Sequence, residues 1–212
     1  MFQRKKVRVN GLVQVYRSAR GGLKCAANWA DVRYETASLE AFHQFGKAFF
    51  DTLPSVKISR KKNKFEISKI DNASHEASVR LRIVGLNRFQ RERIYYDDAL
   101  AWASLGFERE AVIVEAIQGQ VNGKAKLEVF SSIFGKHWSK ALLDIVEENA
   151  KKHGFKSVKI RIPESLAYYW NPVGVTGIKT IAKIRRDMRN HYNGLASALG
   201  YKRKGIFYIK KL

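Results

Sequence analysis

The run from Lys124 to Pro163 constrains this chain more than any other stretch, because it reads as an unbroken strand, turn, helix and strand. Lys126 to Ile133 (LEVFSSI in its apolar part) is predicted as a strand, and Phe134-Gly135-Lys136 as a turn. From about His137 to His153 the residues Trp138, Ala141, Leu142, Ile145, Val146 and Ala150 recur at three- and four-residue spacing, the signature of an amphipathic helix. Gly154 is placed to end that helix in a left-handed conformation, with Lys151, Lys152 and His153 at the negative end of its dipole. Val158, Ile160 and Ile162 then alternate with Lys159 and Arg161, a half-buried strand that Pro163 stops. Such a strand–helix–strand unit normally closes as a right-handed parallel crossover.

Around this unit the chain is strongly basic. Its net charge is +21 over 212 residues, and the excess is uneven. Residues 1–95 hold 20 Lys+Arg against 8 Asp+Glu, residues 96–163 hold 10 against 9, and residues 164–212 hold 10 against 2. A neutral centre between basic flanks attracts polyanions, which points to nucleic acid, DNA or RNA, as a partner. The single cysteine, Cys25, allows no intramolecular disulfide and fits a reducing compartment, where it reads as a small buried hydrophobe. No run reaches the roughly 18 apolar residues of a membrane span, and the basic N-terminus has no cleavage site of a signal peptide. The expectation is therefore a cytoplasmic protein without a membrane partner.

Taken in order, Lys6 to Tyr16 reads as a hairpin or kinked strand around Asn10-Gly11. Ser38 to Leu53 reads as a helix with Ser38 as N-cap and a phenylalanine face, broken by Pro54. Residues 57–67 form a hairpin whose tip would present Arg60, Lys61, Lys62 and Lys64 to phosphates. Ala77 to Leu86 is a strand, Asp97 to Gly106 a short helix, and Ala111 to Ile117 a central strand interrupted only by Glu115. Asn122-Gly123 predicts a tight hairpin, making strands 111–121 and 124–133 antiparallel neighbours. Beyond Pro163 come the aromatic run Tyr168-Tyr169-Trp170, a basic helix over Ile178–Met188, a second helix on Tyr192, Leu195, Ala196 and Leu199, and a short strand Ile206–Ile209. The fold class is α/β (α+β), a mixed, mostly antiparallel sheet flanked by helices. Residues 1–95 form either part of that sheet or a small appended module, and 96–212 form the main domain, with a basic insertion at 164–189.

The order of elements over 111–212 resembles that of the GNAT superfamily of CoA-dependent N-acyltransferases. Gly135-Lys136-His137-Trp138-Ser139-Lys140-Ala141-Leu142-Leu143 is similar to that family's pyrophosphate-binding turn and helix start, usually R-G-K-G-I-G-K-A-L-L. Ala198-Leu199-Gly200-Tyr201 resembles its C-terminal K-L-G-F signature. The resemblance implies acetyl-CoA or another acyl-CoA held by Phe134, Gly135, Lys136, His137, Trp138, Ser139 and Lys140 at a helix N-terminus. It implies Glu115 or Glu128 as general base and Tyr192 as general acid, one turn before Ala196, where the family often has its tyrosine. His137 and Ser139 stand where the family has small glycines, and Phe134 where it has arginine or glutamine.

Two functions follow. One is acyl transfer to an acceptor associated with nucleic acid: a nucleobase, a tRNA or a basic protein. The other is a GNAT-like scaffold without catalysis that binds nucleic acid. In that second case Lys61, Lys62, Arg185, Arg186, Arg203 and Lys204, with Arg60, Lys64, Lys179 and Lys183 nearby in sequence, contact phosphates, and Tyr168, Tyr169 or Trp170 stack on bases. The five histidines have no metal-site spacing, and no Walker loop, dinucleotide fingerprint or serine-hydrolase elbow occurs.

Overall fold

An eight-stranded sheet with strongly buried central strands, packed against helices, builds most of what the structure describes. The structure, a computed structural model, describes residues 7–9, 13–17, 23–25, 40–60, 62–70, 79–86, 99–170 and 177–212. Strands β1 (Val7–Val9), β2 (Val13–Arg17) and β3 (Leu23–Cys25) form a three-stranded antiparallel sheet. The hairpin expected around Asn10-Gly11 is thus β1–β2, while residues 10–12 and the N-cap Ser38 lie outside the described residues.

The main sheet has eight strands: β4 (Val56–Arg60), β5 (Asn63–Ile70), β6 (Val79–Gly85), β7 (Ala99–Glu108), β8 (Ala111–Gly119), β9 (Ser157–Arg161), β10 (Lys202–Lys204) and β11 (Phe207–Lys211). Their order is β10-β11-β9-β8-β7-β6-β5-β4, antiparallel throughout except for the parallel pair β8–β9. Strands β4, β5 and β6 therefore belong to the same sheet as the C-terminal strands.

The helices are α1 (Lys47–Thr52), α2 (Lys124–Phe134), α3 (Trp138–Lys152), α4 (Ala167–Trp170) and α5 (Ile178–Ala198). A π-helical turn, Phe42–Gly46, precedes α1. There the α-carbon of Gly46 lies against Phe107, so close that an added Cβ would sit 2.4 Å from the ring. Ala141, Leu142, Leu143, Val146 and Ala150 of α3 are fully buried against Val112, Val114, Val158 and Ile160 of the central strands. Each larger side chain so buried contributes about 1.5–3 kcal/mol. Asn149 of α3 donates to the Phe49 carbonyl at 2.8 Å, which ties α1 to the same layer.

Three expectations fail here for physical reasons. Lys126–Ile133 is not a strand but lies within α2: Leu127 and Phe130 are buried at helical spacing. Asn122-Gly123 is no hairpin turn either. It sits in a 3-10 turn, with Gly123 at φ −89, that starts α2, so the parallel crossover runs from β8 through two helices to β9. Asp97–Gly106 is not a helix. From Ala99 it is the central strand β7, buried at nearly every position from Ala99 to Phe107. Alanine favours helix locally, but pairing on both sides by β6 and β8 outweighs that preference. Finally, the two helices expected after Gly177 are one, α5, which runs through Gly194.

Candidate functional site

The site begins where β8 and β9 part. They pair only from Ala111–Ser157 to Val114–Ile160. On the other side of β8 the register with β7 slips: Leu105 faces Val114 and Ser104 faces Ala116, leaving Glu115 as a bulge residue. Beyond it the backbone of Ile117 is paired not with β9 but with Tyr192 of α5. The Tyr192 hydroxyl accepts from the Ile117 N–H at 3.0 Å and donates to its carbonyl at 3.2 Å. Tyr192 thus takes the place of a strand at this point. Burial pushes its hydroxyl up to about 12, against a lowering from the Ile117 hydrogen bond, so it stays protonated.

The start of α3 lies beside this gap, and its Trp138 and Ser139 N–H groups are bonded from within the protein. Gly135, at φ +76, caps α2 and donates its N–H to Ser131 O at 2.9 Å. The Trp138 N–H goes to Ser131 Oγ at 3.1 Å, and His137 Nδ1 caps the Ser139 N–H at 3.4 Å. Lys136 is held by Asp144 at 2.6 Å. A pyrophosphate at a helix N-terminus needs free N–H groups and room for close approach. Here the Trp138 and Ser139 donors are taken and two large rings flank them, so these residues do not fit the acyl-CoA phosphates that the resemblance implies.

Between α2, the start of α3, α4 and α5 there is instead an open cavity of about 870 Å³. Its walls are mostly apolar and aromatic: Ile117, Leu127, Trp138, Tyr168, Ile184 and Met188 all contribute. The rings of Trp138 and His191 stack at 5.6 Å with 18° between planes, and His137 lies 5.9 Å from His191. Burial lowers the pKa of His137; burial and then the charge of His137 lower that of His191, so both rings are neutral at pH 7. His191 Nε2 is buried with no hydrogen-bond partner among the described residues. Glu128, Asp187 and Lys124 also line the cavity.

The expected acid–base set is not assembled. Glu115 forms an ion pair with Arg161 and sits with it on the sheet face opposite Val158, Ile160 and Ile162. Glu128 stands on α2 rather than on a strand, exposed at the cavity wall. Tyr192 is locked to Ile117.

The basic residues divide into two groups. Lys179, Lys183 and Arg186 are exposed along one stripe of α5. Arg185 turns inward and donates to Tyr169 O and Trp170 O, each at 3.0 Å, with its guanidinium 5.0 Å from the Trp170 ring. Arg189, which sequence reading passed over, holds Glu164 at 3.0 Å. The hydroxyl of Tyr208 donates to Asn193 of α5, and it feels both Arg203 and Glu164. The β10–β11 hairpin with exposed Arg203 and Lys204 therefore belongs to the same surface as α5. Trp170 is 58% exposed and Tyr168 39%, but Tyr169 is fully buried and cannot stack on a base. Arg60, Lys62 and Lys64 sit on the β4–β5 hairpin at the opposite edge of the sheet, roughly 34 Å away at normal strand spacing. Lys61 lies outside the described residues.

His191 was the main omission. It shares a helical face with Ile184, Asp187 and Met188, and that spacing was available in the sequence. No family model, no curated protein and no solved structure matches this chain. Among the described residues no helix is long and apolar enough to cross a membrane, and no three metal-ligating side chains come together.

Proposed function

We propose that this protein is a nucleic-acid-binding protein of the cytoplasm, built on a GNAT-like sheet and not acting as an acyltransferase. One observation carries the reading: α5 presents an exposed basic stripe (Lys179, Lys183, Arg186), packs through Arg185 against exposed Trp170, and meets the β10–β11 hairpin with exposed Arg203 and Lys204 near its C-terminal end at Asn193. Among the described residues Lys179, Lys183, Arg203 and Lys204 make no ion pair, and Arg186 only a 3.9 Å contact to its neighbour Asp187. Such cations are available to displace counterions from phosphates, and an aromatic beside them supplies a sequence-tolerant stacking surface.

The parallel pair β8–β9 with a helix between, followed by a helix that ends in Leu199-Gly200-Tyr201 and a strand, supports the GNAT-like element. The occupied donors at the start of α3, the Arg161–Glu115 pair and the locked Tyr192 hydroxyl all count against acyl transfer from acyl-CoA.

The test is fluorescence anisotropy with short single-stranded and duplex oligonucleotides over a salt series. The expected result is binding whose log–log salt slope falls by about two in Lys183→Glu/Arg186→Glu, at about 0.9 per lost phosphate contact. Wild-type protein that binds neither oligonucleotide at low salt, or a variant with an unchanged slope, would overturn the reading. Isothermal titration with acetyl-CoA supplies the counter-test: micromolar binding there would restore the acyltransferase reading.

A further inference from the structure

We infer that the cavity between α2, α3 and α5 is a base pocket, which takes one unstacked nucleobase of a bound single strand. The inference rests on the nucleic-acid reading above and adds to it where a base goes. The cavity and the basic surface share α5: Ile184, Asp187, Met188 and His191 face the cavity, while Lys179, Lys183 and Arg186 lie on the outer stripe. Tyr168 connects the two, since it lines the cavity and lies two residues from exposed Trp170. A strand tracked by the outer stripe has its bases within one helix width of the cavity mouth.

The chemistry of the walls selects a flat, uncharged, hydrogen-bonding group. Apolar and aromatic side chains make up most of the surface, and the Trp138–His191 stack offers a planar wall. Two carboxylates, Glu128 and Asp187, line it against one cation, Lys124, so a phosphate gains nothing by entering. Those carboxylates accept hydrogen bonds, and His191 Nε2 is buried without a partner among the described residues. A base with an exocyclic amino group and ring nitrogens offers donors to the carboxylates and a donor or an acceptor to His191 Nε2, whichever its tautomer needs. The volume of about 870 Å³ lies within the range of sites that hold small planar ligands.

The experiment uses the full chain and an oligonucleotide that carries one 2-aminopurine, whose emission rises when it leaves the stack. Wild-type protein is expected to raise that emission on binding. Ile184→Trp, which fills the cavity, is expected to abolish the rise and to lower affinity about tenfold, the effect of one lost base stack, with the salt slope unchanged. Lys183→Glu/Arg186→Glu should do the reverse, lowering the slope while the emission change at saturation persists. Oligonucleotide binding with no emission change, or a rise that survives in Ile184→Trp, would overturn the pocket and leave the basic surface standing. No binding at all would remove both. Should Ile184→Trp not fold, photo-crosslinking of wild-type protein to a 5-bromouracil oligonucleotide decides: adducts on Tyr168, Trp138 or Met188 support the pocket. Adducts confined to Trp170 and the outer stripe overturn it.

Discussion

Helix α5 carries two sets of basic residues that differ in what they touch. Arg185 turns inward onto the carbonyls that end α4, and the exposed Arg189 holds Glu164, so both act as structural clamps. Lys179, Lys183 and Arg186, a fraction of a turn away, touch no acidic partner among the described residues closer than the weak contact to Asp187. The same residue chemistry thus serves cohesion on one side of a helix and solvent on the other. Residue type alone did not separate them; the direction of the helix face did.

The largest loss of stability is expected from Tyr192→Phe, next to the inner stripe. It leaves the buried N–H and C=O of Ile117 unpaired, at a cost of about 1–3 kcal/mol in denaturant unfolding. Arg185→Ala should follow, at about 1–2 kcal/mol, because two charge-assisted bonds and a cation–ring contact go together. Arg189→Ala removes a half-exposed pair and should cost under about 1 kcal/mol. At the small end, Lys183→Glu/Arg186→Glu should change unfolding free energy by no more than about 0.5 kcal/mol while it weakens oligonucleotide binding. If the outer double variant destabilised as much as Arg185→Ala, the distinction between the stripes would collapse.

The cavity histidines give a pH test of the same helix. His137 and His191 are held below the ordinary imidazole value, about 6.5 in the unfolded chain. As pH falls below about 6.5 the unfolded chain takes up protons before the folded one does. Stability present above that pH is therefore lost toward the folded-state values. Melting temperature should fall between pH 7 and 5, and His191→Phe, which keeps a ring on Trp138, should flatten that fall.

Much of the fold could be read from local pattern. Helix α3 was visible because its apolar stripe is long, and Gly154 at φ +73 ends it where expected. The β4–β5 hairpin, β6 and β9 follow from short strand patterns, and β8 from a nearly continuous apolar run. The misread elements, β7 and α2, are those whose local preference opposes their surroundings. An alanine-rich run became a central strand because two neighbours pair with it, and the LEVFSSI run coiled because Leu127 and Phe130 meet Phe65 and the sheet only as a helix.

The site was less readable for a related reason. Sequence supplied the basic excess, the aromatic run before α5 and the Gly135–Lys140 turn. It could not show that Ser131 and His137 occupy the Trp138 and Ser139 donors of that turn, since hydrogen bonding depends on how α2 meets α3. Nor could it show that Tyr192 reaches 75 positions back to mend the backbone of Ile117. Composition and periodicity determined by themselves that this chain forms a basic, mixed α/β sheet protein. Only the tertiary structure decided which charges are spent on cohesion and which face solvent, because that depends on contacts between elements remote in sequence.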